Sequence, residues 1–132
     1  EAMTPETYLG PQRLDPSRYV GSPLVKGKAA EYTLAAAVPA SAISYGGEWT
    51  LAGQIATAGL AAQLELHYEA KDVYIVLGGR GTVHALIGGK PAGTLRVDAY
   101  RLYTVRASKQ TADAVLELRF SPGVQAYSFT FG

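Results

Sequence analysis

The sequence contains no cysteine, and that one absence removes disulfides, zinc-thiolate sites and thiol redox chemistry from the chain. Charge is scarce as well. Asp, Glu, Lys and Arg make up 17% of the 132 residues, 12 basic against 11 acidic, for a net charge of +1. Such a balance sets up no field to gather nucleic acid or an anionic membrane. No apolar run reaches the ~20 residues that span a bilayer. The most apolar stretch, Leu34 to Ile43, is interrupted by Pro39. The amino terminus, Glu1-Ala2-Met3-Thr4-Pro5, has neither the basic start nor the apolar run of a secretory leader, so the chain reads as an excised module or a mature fragment. Lack of cysteine is compatible with either side of a membrane, so composition leaves the compartment open.

What is present is apolar and aromatic: 48% hydrophobic residues, nine tyrosines, three phenylalanines and one tryptophan. A chain of this size buries about two-thirds of its unfolded surface and needs no metal or disulfide to fold. Period-two alternation recurs from residue 48 onward, which is the pattern of half-buried strands. Ala62 to Ala70 is its clearest instance, with apolar residues at even positions and polar ones at odd positions. Val73 to Leu77 is continuously apolar and predicts a strand covered on both faces. Further strands are expected at Thr82–Ile87, Thr94–Asp98, Arg101–Ala107, Ala114–Phe120 and Gln125–Phe131, and earlier at Glu31–Ala36 and Trp49–Ile55. Turn chemistry separates them at Gly78–Gly81, Gly88–Pro91, Ser108–Gln110 and Ser121–Gly123. In the last strand, Tyr127, Phe129 and Phe131 are expected on one face.

About eight or nine short strands without crossover helices predict an all-β fold, a two-sheet antiparallel sandwich or jelly roll. The one helical alternative is Leu34 to Ala42, which Pro39 breaks. Residues 1–28, with four prolines and three glycines, read as an extended arm lying on a sandwich formed by 29–132, one domain in all.

Catalytic constellations are poorly supported. Only His67 and His84 could act as imidazole bases, and there is no Gly-x-Ser-x-Gly elbow. Glu65, His67 and Glu69 alternate along one strand about 7 Å apart. They suit a weak metal patch at best, and a solvated strand face explains them as well. Seven carboxylates offer pairs for glycoside hydrolysis, but no pattern gives any pair a cleft. The expectation is a domain that is not an enzyme, with no metal or other cofactor. The aromatic residues suggest binding instead, since flat rings stack on sugar faces while amides and carboxylates bond to hydroxyls. Tyr45 and Trp49, in Tyr45-Gly46-Gly47-Glu48-Trp49, and Tyr100 and Arg101, in Asp98-Ala99-Tyr100-Arg101, are the candidate contacts. Trp49 at the head of an alternating strand is, however, more often a core residue.

Thr4-Pro5-Glu6-Thr7-Tyr8-Leu9-Gly10 with Arg13 resembles the segment that opens the C-terminal domain of DipZ-like proteins, just after their thioredoxin-like domain. Phe120-Ser121-Pro122-Gly123-Val124-Gln125-Ala126-Tyr127-Ser128-Phe129-Thr130-Phe131-Gly132 is similar to that family's terminal strand pair. Asp72 to Gly78 and Arg101 to Arg106 resemble two further family segments, whereas Gly21 to Ser44 departs most from the pattern. The resemblance implies a sandwich like carbohydrate-binding modules, carried outside the cytoplasmic membrane behind a redox domain. Implied partners are a polysaccharide or other glycan, the thioredoxin-like domain of the parent protein, or a second copy of the chain. Two roles follow: a glycan-binding module, or a docking domain that positions the redox domain or self-associates.

Overall fold

The computed structural model describes residues 2–132. Its strands are β1 (Thr7–Tyr8), β2 (Ala29–Tyr32), β3 (Ile43–Ala52), β4 (Ile55–Ala58), β5 (Ala62–Gly78), β6 (Gly81–Ile87), β7 (Lys90–Val97), β8 (Arg101–Phe120) and β9 (Gln125–Phe131). The one helical element among the described residues is a 3-10 turn at Pro16–Arg18. Asp15 caps it by accepting from the Ser17 backbone N–H at 3.0 Å. Leu34 to Ala42 forms neither helix nor strand. No helix among the described residues is long and apolar enough to cross a membrane.

Every ladder between these strands is antiparallel, as the sequence predicts for a sandwich. Hydrogen bonding runs through both layers as one folded-over sheet, ordered β1-β9-β4-β3-β5-β8-β6-β7, with β2 added to β3. Because β9 also pairs with β5, the strands β3, β4, β9 and β5 close a ring around the core. The pairings do not divide the strands into the two separate sheets of a jelly roll. β6 and β7 join through Gly88 and Gly89, both at positive φ (57° and 78°), which suits the primed turn of a two-residue hairpin.

The 20 residues of β8 would extend about 66 Å if straight. The accessible surface of 6629 Å² is what a compact 13.9 kDa protein exposes, roughly 6,700 Å². The long strands must therefore bend. They do so where the β5–β8 register shifts, between Ala70 and Asp72 and between Val73 and Tyr74. Inward positions on β5 are even up to Ala70 and odd from Val73 onward, so both halves face the core. This corrects two expectations. Ala62–Ala70 and Val73–Leu77 are one strand, and Tyr74 and Val76 are outward and only half-buried. Nor is Ser108–Gln110 a chain reversal. Ser108 to Thr111 stand opposite Lys71 alone, the Ser108 N–H donates to Asp72 Oδ1 at 3.3 Å, and β8 continues. The turn-forming residues mark the bend of a strand whose ends are both held by β5.

The core is strongly aromatic. Tyr45 and Trp49 are 0% exposed, with ring centroids 5.0 Å apart, and Trp49 meets Phe120 edge-on at 5.0 Å. Tyr19 and Tyr32 flank Tyr45 at 6.1 and 5.9 Å. The buried polar tips are satisfied. Trp49 Nε1 donates to the carbonyls of Gly46 (2.9 Å) and Gln63 (3.1 Å), and the Tyr45 hydroxyl donates to the Leu9 carbonyl (2.7 Å). That last bond fixes the amino-terminal segment, which adds β1 to β9 and carries Arg18 to the Ser41 (2.6 Å) and Glu6 (3.2 Å) carbonyls.

Candidate functional site

Tyr45 and Trp49 have no ring face to offer a ligand. Both lie wholly in the core for a simple reason of parity: Ile43, Tyr45, Trp49 and Leu51 recur inward along β3. The expected contact role is therefore corrected for these two residues. Tyr100 is 68% exposed, in the loop between β7 and β8. Arg101 is exposed next to it, its Cζ 3.9 Å above the Tyr103 ring and its guanidinium 3.6 Å from Asp98 Oδ1. The structure thus separates the four candidates into a buried pair and a surface pair.

Tyr100, without Arg101, lines a cleft of about 210 Å³, together with Glu6, Tyr8, Arg13, Gln54 and Tyr127 above a floor that includes Val76 and Ser128. Register explains the floor. Tyr8 lies opposite Ser128, Ser128 opposite Val76, and Val76 opposite Leu102, so one row crosses β1, β9, β5 and β8 on the outer face. Tyr127 reaches this face through a bulge. Val76 pairs with Ser128 but Leu77 with Ala126, leaving Tyr127 as the extra residue. Ala126 and Phe129 are both fully buried although three residues apart, which alternation alone forbids. The expectation that Tyr127 and Phe129 share a face is corrected accordingly.

The Tyr127 ring meets Tyr100 edge-on, with centroids 4.9 Å apart at 70°. Gly78 lies below them, and a Cβ there would be 3.4 Å from the Tyr127 ring and 3.5 Å from Tyr100. On the opposite wall Arg13 Cζ sits 3.7 Å above the Tyr8 ring. Gln54 comes from the β3–β4 hairpin, against which Gly10 packs so tightly that a Cβ would fall 2.1 Å from the Gln54 carbonyl carbon. The Gln12 N–H donates to the Gly53 carbonyl (2.9 Å) and completes that junction. The hydroxyls of Tyr8, Tyr100 and Tyr127 bond to no other described residue, whereas those of Tyr19, Tyr32, Tyr45 and Tyr103 all hold backbone carbonyls.

A second polar cluster lies on the outer face of β5. His67 Nδ1 is 2.8 Å from the Val38 carbonyl and Nε2 is 2.6 Å from Asp113 Oδ1. Two acceptors facing two ring nitrogens favour the doubly protonated ring. The Val38 carbonyl first and the Asp113 carboxylate second hold its pKa above the ordinary value. Glu65 is shifted upward by burial and by the neighbouring Glu117. With both His67 nitrogens engaged, Glu65, His67 and Glu69 do not converge on a metal, and no metal-holding group occurs among the described residues.

A sequence model of the family described as "Thioredoxin like C-terminal domain" matches residues 4–132. The chain belongs to this family. The proteins named "Protein DipZ" from Mycobacterium bovis and Mycobacterium tuberculosis are each 37% identical to it over 132 residues. The alignment covers 99% of this chain and 19% of each relative, so the chain spans about a fifth of the length of the curated relatives it matches. A DipZ-like accessory domain of the thioredoxin-like C-terminal family is thus the context in which the cleft stands. Of the cleft residues, sequence reasoning finds Tyr100, whereas Arg101, expected as a contact, is not among the lining residues. It misses Tyr8 and Arg13 because β1 is only two residues long and shows no periodicity. It misses Tyr127 because a bulge leaves no mark in composition.

Proposed function

We propose that this domain is a non-catalytic accessory module of an extracytoplasmic thiol-disulfide protein, and that it binds carbohydrate through the cleft of Tyr8, Tyr100 and Tyr127. The observation that carries this reading is the edge-on pair of exposed Tyr100 and half-buried Tyr127 in one cleft with Arg13, Glu6 and Gln54. Ring faces take the C–H surface of a sugar, and the unengaged hydroxyls, amide and charged groups around them match sugar hydroxyls. At about 210 Å³ the cleft is smaller than the roughly 300–1,000 Å³ of enclosed small-molecule sites, and it suits one ring of a longer chain. A single carboxylate, Glu6, lines it, whereas glycoside hydrolysis uses two, and the chain has no thiol. Both facts support binding without turnover. Calorimetric titration against cell-wall and storage polysaccharides is the test. Binding weakened about two- to tenfold by Tyr100→Ala supports the reading, since aromatic contacts contribute about 0.5–1.5 kcal/mol. No heat with any polysaccharide overturns it.

A docking role has its own supporting feature. Leu102, 48% exposed, extends the outer row beyond Val76, so an apolar strip adjoins the cleft. A partner there, the thioredoxin-like domain or a second copy, would be lost on Leu102→Asp. Sedimentation of the chain alone and mixed with that domain separates the two readings, and a monomer without affinity for the domain counts against docking.

A further inference from the structure

We infer that the cleft selects saccharides that carry a carboxylate, such as uronic acids, with Arg13 as the residue that engages it. This rests on the carbohydrate reading above and names the ligand class within it.

The inference starts from how the arginines around the cleft are used. Arg18 is engaged with the backbone carbonyls of Ser41 and Glu6. Arg101 is shared between Asp98 and the Tyr103 ring. Arg13 alone lines the cleft while making no ion pair or side-chain hydrogen bond among the described residues. It is nevertheless not an unconstrained side chain. Stacking on Tyr8 at 3.7 Å sets the plane of the guanidinium, and a stacked guanidinium keeps its N–H groups on the rim, free to point outward. Tyr8 is itself held in register with Ser128 on β9, so the support is rigid. A planar fork of donors on a fixed ring matches a carboxylate, which accepts two parallel N–H bonds. A neutral hydroxyl takes one.

The remaining lining chemistry fits the same ligand. Tyr100 and Tyr127 offer a corner for the sugar ring, and Gln54 and Glu6 line the same cleft as groups that can bond to hydroxyls. Glu6 also offsets the charge of Arg13, and the chain carries only +1 overall. Any preference for an anionic sugar therefore comes from the local fork and not from general attraction.

The test uses matched pairs: oligogalacturonate, alginate oligomers and hyaluronan oligomers, each beside its carboxyl-reduced counterpart, titrated into the whole chain. We expect the carboxylated member of at least one pair to bind about tenfold more tightly, a difference of 1.4 kcal/mol. Arg13→Gln is expected to bring that ratio to about one. Arg13→Lys, which keeps the charge but loses the fork and much of the stack, should leave an intermediate ratio. Urea midpoints near that of the parent chain confirm that both variants fold. Equal affinity within every pair overturns the inference and leaves the carbohydrate reading standing, as does binding of neutral glycans alone. A ratio unchanged by Arg13→Gln removes Arg13 from the assignment. If no saccharide of either kind binds, both readings fall together.

Discussion

Two groups of rings of the same chemical type meet opposite fates in this domain. Tyr45, Trp49, Tyr32 and Phe120 are buried, and the polar tips of the first three are engaged with backbone groups. Tyr8, Tyr100 and Tyr127 line a cleft with hydroxyls that no other described residue engages. Between these two groups the difference is one of hydrogen-bond partners as well as of exposure, while Tyr68, 2% exposed, is held in the core by packing alone. Aromatic count alone cannot make this distinction, because a tyrosine pairs an apolar body that can be buried with a polar tip that can stay wet.

The largest test of that contrast is Trp49→Ala. Truncating a fully buried tryptophan costs about 3–5 kcal/mol, a large share of the ~5–15 kcal/mol that holds a domain together. A urea midpoint that barely moves would show that Trp49 is not part of the core framework. Tyr45→Phe is milder. It keeps the ring and removes the donor to the Leu9 carbonyl, and a buried acceptor left alone costs about 1–3 kcal/mol. Limited proteolysis should then cut the amino-terminal segment sooner than in the parent chain.

His67 is a ring of the engaged kind at the surface. Its folded pKa lies above the unfolded value, so its contribution is fully present below about pH 6.5 and is lost as pH rises through the folded value. Solvent screening keeps that contribution below about 1 kcal/mol. The difference in urea midpoint between the parent chain and His67→Gln should shrink from pH 6 to pH 8.5, and a difference flat across that range would refute the assignment. The smallest expected effect on stability belongs to Tyr100→Ala, within about 0.5 kcal/mol. A variant as stable as its parent yet weaker in binding would sharpen the comparison most.

Much of the fold is legible in the sequence, for local reasons. Strict alternation from Ala62 to Ala70 reports a half-buried strand, because side chains on a strand alternate between faces. The glycines at 88 and 89 report a hairpin. The bends are not legible. Whether Ser108–Gln110 reverses the chain or bows out of it depends on Ala112–Phe120 finding the same strand, β5, that Arg101–Ala107 already holds, and no local pattern encodes that long-range pairing. The site inherits the same limitation. Trp49 and Tyr45 carry the parity of the core, and Tyr100 stands in a loop, so exposure separates them only once the sheet is known. Tyr127 owes its direction to one extra residue opposite Val76 and Leu77.

The cleft borrows three of its six principal side chains, Glu6, Tyr8 and Arg13, from the segment tied down by Tyr45 and packed at Gly10 against the β3–β4 hairpin. Occupancy and docking of that segment are consequently one linked equilibrium. A ligand present at ten times its dissociation constant would hold the segment down by a further ~1.4 kcal/mol. By the same reciprocity, a force that peeled the segment away would dismantle the cleft and release any ligand bound there. Tension at the amino-terminal end would then set the grip on a ligand held between Tyr8 and Tyr100.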